Sequence, residues 1–157
     1  MMKTIVIGLG NPCLRDDGLG IMVADLLRNH PERHDTVTVT EAYTGGLALM
    51  ELMVGYDQAI VIDACTTGIH PAGTLIEMSL DDLTPSRNST STHDASLVVA
   101  LETGKTIGLH LPSSIRFFGI EAGNTKDFGE TLTEPVRRTV PALVAEVIAT
   151  LNQEGAP

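Results

Sequence analysis

Residues 59–64 read AIVIDA, an uninterrupted apolar run that ends in a carboxylate. A strand with one wet face alternates apolar and polar residues, whereas a run without alternation belongs in a sheet covered on both sides. The neighbouring sequence supplies the rest of such a unit. Residues 3–9 (KTIVIGL) are a short β-branched run closed by glycine, and residues 17–29 follow with apolar side chains at Leu19, Met22, Val23, Leu26 and Leu27. That is strand, turn, helix. Residues 36–41 (TVTVTE) alternate Val with Thr, Gly45 and Gly46 break the run, and residues 47–54 resume helical spacing. The order β-α-β-α-β calls for a largely parallel sheet with helices on both faces.

Only residues 65–72 separate the third strand from the next apolar run, 73–78 (GTLIEM), which is too short for a helical crossover. The fourth strand is therefore expected to be antiparallel or at an edge, and the sheet mixed. Residues 84–92 (TPSRNSTST) are turn formers and read as a mobile loop, after which His93 opens a helix carrying Leu97, Val98 and Leu101. Ser114–Glu121 supplies a last strand. Residues 133–152 read as a closing helix: Thr133 caps it, Pro135 sits in its first turn, and Val136, Val140, Leu143, Val147 and Leu151 form one apolar face. Pro141 is expected to kink or split it.

The whole chain, 1–157, fits a single domain. Hydrophobic residues make up 43% of it but aromatics only 3%, so the core must be built from aliphatic side chains and Met. Ten Lys and Arg against 20 Asp and Glu give a net charge of −10, which argues against a protein that grips phosphate backbones, so nucleic acid is excluded as a partner. No run approaches the roughly 20 apolar residues that a membrane span needs, and the amino terminus enters a strand pattern after a single Lys. A cytoplasmic protein without membrane insertion is the expectation, and a monomer. Cys13 and Cys65 make no disulfide framework.

The first turn, GLGNPCLRDDGLG from Gly8 to Gly20, invites a dinucleotide-binding reading and fails it on spacing. The position where such a loop needs a third small residue is Cys13, and Asp16 and Asp17 would repel a pyrophosphate. What remains is a carboxylate, Asp17, where strand one passes into helix one. Alone it would read as a helix cap. Asp63, however, ends the third strand, and in an open α/β sheet the ends of parallel strands share the edge where ligands bind. His93, at the start of its helix, can serve the same edge, although a lone His there is ordinarily a solvated or capping residue. His30, His34, His70 and His110 show no carboxylate partner in the sequence. Two carboxylates and an imidazole form an oxygen and nitrogen set suited to a divalent transition metal such as nickel, zinc or iron. No HExxH, CxxC or GxSxG supports a common metallopeptidase, structural zinc or serine hydrolase, and Asp-Thr-Gly and Asp-Ser-Gly loops are missing. Of the neighbours, Asp16 is expected to support the turn or cap the helix, and Asp94 to act as a helix-start anion or to orient the imidazole. Gly10 and Asn11 shape the turn, and Thr44, Gly45 and Gly46 begin the second helix and line the cleft. Thiolate participation by Cys13 or Cys65 is the minor reading.

Four motifs in order, Gly8-Leu9-Gly10-Asn11, Asp16-Asp17-Gly18-Leu19-Gly20, Val61-Ile62-Asp63-Ala64 and Thr92-His93-Asp94 with Ser96-Leu97, resemble those of the hydrogenase maturation endopeptidases. The resemblance runs over essentially the whole chain. It implies a three-layer α/β sandwich with a twisted, mixed, mostly parallel five-stranded sheet. It implies an endopeptidase that removes the carboxyl-terminal extension of a nickel-iron hydrogenase large-subunit precursor after nickel insertion. It implies that Asp17, Asp63 and His93 are both the metal-contacting and the catalytic residues of an aspartic-type, nickel-dependent enzyme, the nickel being carried by the substrate. The family position matching Asp17 also accepts Glu. Two other readings stand beside this one: a non-enzymatic nickel-binding assembly factor using the same three residues, and a small-molecule hydrolase using the carboxylates as general acid and base. The 84–92 loop, next to His93, is the expected seat of partner selectivity.

Overall fold

The computed structural model describes residues 1–83 and 92–154, with side chains over 1–82 and 96–154. Strands β1 (Thr4–Leu9), β2 (Val37–Ala42), β3 (Gln58–Cys65), β4 (Leu75–Ser79) and β5 (Ser114–Glu121) alternate with helices α1 (Leu19–Arg28), α2 (Gly46–Met53), α3 (Thr92–Thr106) and α4 (Glu134–Glu154), except that β4 follows β3 without a helix between them. They form one sheet in the order β2-β1-β3-β5-β4, parallel except for β4, which lies antiparallel at the edge. The short connection after β3 has the consequence expected of it. Gly73, at φ +92°, turns the chain into β4, so that strand begins at Leu75, two residues later than the apolar run suggests.

Strand alternation divides the core into two. Val6, Ile60, Ile62, Phe118 and Ile120 meet α1 and α4 on one face, while Ile5, Ile7, Ala59, Val61, Ile115 and Phe117 meet α2 and α3 on the other. This is why β3 has no polar face over residues 59–62, and it makes the molecule a three-layer α/β/α sandwich with a mixed, mostly parallel sheet. Helix α4 is not split at Pro141 but runs unbroken through it. A proline inside a helix costs about 3 kcal/mol. Val136, Val140, Leu143, Val147 and Leu151, buried on both sides of that point, each contribute about 1.5–3 kcal/mol and outweigh it. Among the described residues no helix is long and apolar enough to cross a membrane.

Helix α1 approaches the sheet closely because Gly8 and Gly20 have no side chains. A Cβ at Gly20 would lie 2.3 Å from the carbonyl oxygens of both Leu9 and Ile62. Backbone cannot yield as a flexible side chain can, so Gly20→Ala is expected to destabilise the protein by about 2–3 kcal/mol, read as a lower urea midpoint at an unchanged slope.

Candidate active site

The carboxyl ends of β1, β2, β3 and β5 all lie at one edge of the sheet, and the loops leaving them build the site. After β1 the chain makes a tight turn. Gly10 adopts φ +150°, and a side chain there would place its Cβ 1.9 Å from the Asp17 carbonyl oxygen, so glycine is required by space as well as by conformation. The Asn11 N–H donates both to the carbonyl and to the carboxylate Oδ2 of Asp17, each at 3.1 Å, and fixes that side chain over the turn. Asp17 does not open α1. It lies in a separate single turn of 3₁₀ helix, Arg15–Gly18, entered through Arg15 at φ +48°. That left-handed conformation is unusual for a residue with a side chain, and tertiary contacts hold it. The Arg15 N–H donates to the Gly129 carbonyl at 2.8 Å and its Nε to the Thr131 carbonyl at 3.2 Å.

Asp63 follows the buried part of β3 and is half-buried. Its register partner is Gly119, and alternation places both on the face covered by α2 and α3. The Asp63 Oδ1 lies 4.0 Å from the position a Cβ would take at Gly10, the same glycine whose missing side chain makes room for Asp17. Asp17, through its backbone carbonyl, and Asp63, through its carboxylate, are 46 positions apart in the chain and both lie against Gly10. The opening turn of α3 belongs to this edge as well: a Cβ at Gly46, the first residue of α2, would lie 3.0 Å from Ser96 Oγ. His93 occupies that opening turn, one turn before the buried Leu97. Its side chain and that of Asp94 lie outside the described residues, as does most of the 84–92 loop, so the site as described comprises the two carboxylates. Among the described residues no three His, Cys, Asp or Glu side chains gather as a metal site.

Asp16 has a different task from its neighbour. It is fully buried, and its carboxylate accepts four hydrogen bonds: from the N–H groups of Gly123 (2.8 Å), Asn124 (2.9 Å) and Thr133 (2.7 Å), and from the Thr133 hydroxyl (2.7 Å). Burial is the largest single influence on this acid and pushes its pKa up, but the bonds from Thr133, Asn124 and Gly123 together hold it below the usual carboxylate range. The turn is support, as its sequence suggests, though the residues supported are more than a hundred positions away. Thr133 correspondingly spends its hydroxyl on Asp16, while its carbonyl accepts the Arg137 N–H of the first turn of α4.

Glu121 is a functional-edge residue that its sequence position, as the last residue of an apolar strand, conceals. It is only 3% exposed, and it accepts the Thr67 N–H at 2.9 Å and the Thr67 hydroxyl through a short hydrogen bond. Cys65, its register partner, is buried and Cys13 exposed. His110 does have a carboxylate partner, Asp57 at 2.9 Å, but this pair lies at the opposite edge of the sheet, where Asp57 also accepts the Lys3 N–H. Thr44 and Gly45 lead into α2, which begins at Gly46 on the edge shared with Asp17 and Asp63.

The model of the hydrogenase maturation protease family matches residues 21–150. "Hydrogenase expression/formation protein HupD" of Rhizobium leguminosarum bv. viciae is 29% identical over 98% of this chain and 76% of its own length. "Hydrogenase 2 maturation protease" of Escherichia coli (strain K12) is 24% identical over 98% of this chain and 93% of its own. Among solved structures, the hydrogenase maturating endopeptidase HybD from E. coli superposes with a TM-score of 0.84 at 23% identity, covering 98% of this chain and 94% of that one. A hydrogenase 2 maturation peptidase from Thaumarchaeota archaeon SCGC_AB-539-E09 gives 0.71 at 26% identity over 96% and 98%. The fold and the family match over most of the sequence agree: the chain belongs to the hydrogenase maturation protease family.

Proposed function

We propose that the protein is the endopeptidase that removes the carboxyl-terminal extension of a nickel-iron hydrogenase large-subunit precursor after nickel insertion. Asp17, Asp63 and His93 take the nickel that the substrate carries. The observation that carries this reading is that Asp17 and Asp63 both lie against Gly10, at the edge where α3 begins with His93. Two carboxylates and an imidazole are hard and borderline donors of the kind that nickel accepts, and three of them leave coordination positions for ligands from the precursor. A precursor without nickel would lack the group that docks, so cleavage reports that assembly is complete.

The chemistry follows from the same set. Nickel bound at this edge polarises the scissile carbonyl or acidifies the attacking water, and a carboxylate of the pair serves as general base. The rigid mounting of Asp17 and Asp63 supplies the positioning on which such a step depends. In this reading the enzyme works as a cytoplasmic monomer, its partner being the precursor itself.

Incubation of the purified protein with nickel-loaded and nickel-free precursor, followed by intact-mass measurement, tests the proposal. Truncation of the loaded form alone is expected. Equal truncation of both forms overturns nickel recognition, a stable complex without truncation favours an assembly factor, and indifference to both favours a small-molecule hydrolase.

A further inference from the structure

Apart from the terminal Met1, the two most exposed large hydrophobic residues among the described ones are Phe128, at 89%, and Ile69, at 72%. They come from the two loops that line one cleft: Ile69 stands between the lining residues Gly68 and His70, and Phe128 directly follows the lining residue Asp127. That cleft, about 480 Å³, lies between the β3–β4 loop, with Gly68 and His70, and the β5–α4 loop, with Asn124 and Lys126, and has Glu121 among its lining residues. Its volume is within the range of about 300–1,000 Å³ common for binding pockets. A single exposed apolar side chain needs no explanation. Two, one on each of the loops that bound a single cleft, suit an interface in which apolar anchors accompany a hydrogen-bonding centre.

Both loops are held in place by hydrogen bonds. On one side Thr67 bonds to the buried carboxylate of Glu121 and accepts the Ile69 N–H at 3.3 Å. On the other, Asn124 Oδ1 accepts the N–H groups of Lys126 and Asp127, both at 3.1 Å, and the Gly129 N–H donates to the Cys13 carbonyl at 2.8 Å. Asp16 bonds the same wall through Gly123 and Asn124. Loops ordered before binding lose less entropy when a partner arrives.

We propose that this cleft seats the polypeptide segment flanking the scissile bond of the precursor, with Phe128 and Ile69 as its apolar anchors. The inference rests on the protease reading. The cleft adjoins the proposed catalytic edge: Thr66, in its lining, is three residues beyond Asp63, and the lining residues Gly123 and Asn124 bond to Asp16, the neighbour of Asp17. A substrate chain held at Asp17 and Asp63 must leave that edge over one of the adjoining loops, and this cleft offers an exit between loops that are ordered in advance.

The test is steady-state cleavage of nickel-loaded large-subunit precursor by the wild type, by the Ile69→Ser/Phe128→Ser double variant and by Phe128→Leu. Both residues are exposed, so the folded state is expected to survive, as checked by circular dichroism. KM should rise about tenfold or more in the double variant, with kcat within about twofold, while Phe128→Leu stays near the wild type. A photo-crosslinking amino acid at position 128 should label the carboxyl-terminal segment of the precursor. Unchanged KM in the double variant, or a crosslink only to regions remote from the scissile bond, overturns the assignment of the cleft and leaves the protease reading standing. A wild-type protein that cleaves no precursor overturns both.

Discussion

Asp63→Asn is expected to slow cleavage of the nickel-loaded precursor by about 10²–10⁴-fold, the usual worth of a positioned acid or base, and to leave the protein folded. Asn keeps the shape of the side chain and removes its charge and basicity. Asp63 stands past the buried stretch of β3, beside Gly119, which contributes no side chain, so the exchange disturbs no core packing. Asp17→Asn should have a loss of the same order. Asp17→Glu should not: the carboxylate rests on a short turn beside the Asn11 N–H, and the resemblance that assigns it allows either acid, so activity within about tenfold of the wild type is expected. His93→Ala should fall with the two Asn variants. The measurement is kcat/KM by gel or mass spectrometry, with thermal melting as the control for folding. Native rates in Asp63→Asn would remove that residue from the mechanism, and equal losses in Asp17→Asn and Asp17→Glu would show that more than a carboxylate is required at position 17.

What could be read in advance followed the range of the physical signal. The strands β1 and β3 are legible because burial on both faces leaves a continuous apolar run, and Ser114–Glu121 has the same bounds in structure and pattern. The antiparallel edge strand was legible because a short connection excludes a crossover. Asp17 and Asp63 could be brought to one edge from topology alone, since parallel strands put their carboxyl ends together. Contacts between distant segments leave no local trace. The 3₁₀ turn at Arg15–Gly18 depends on Gly129 and Thr131, the burial of Asp16 depends on Gly123, Asn124 and Thr133, and the partner of His110 is Asp57, across the molecule. Glu121 was hidden for the same reason: only with Thr67 folded over it does a strand-end Glu become a buried support for a loop. At Pro141 a local rule was legible and tertiary packing outweighed it.

Asp16 carries the largest expected effect on stability. Asp16→Ala takes away the acceptor for four donors that the fold has removed from water. A buried donor left without a partner costs about 1–3 kcal/mol, and allowing for relaxation of the β5–α4 loop the total should be about 3–5 kcal/mol. Asp16→Asn should cost somewhat less, since its amide oxygen still accepts but its NH₂ faces backbone N–H groups. The pH dependence separates a buried ionised carboxylate from mere shape. Asp16 has a lower pKa in the folded protein than in the unfolded chain, so its contribution is complete above the unfolded value of about 3.9 and is lost as the pH falls through the folded value. The difference in unfolding free energy between wild type and Asp16→Asn should therefore be level from pH 7 to pH 5 and shrink below about pH 4. A difference that stayed constant into that acid range would mean that Asp16 is not ionised in the fold. The same carboxylate joins the turn bearing Asp17 to the wall of the cleft, so both variants should also lose kcat at temperatures well below their midpoints, although Asp16 itself touches no substrate. A destabilised variant with native kcat would show that the clamp holds the fold together without placing Asp17.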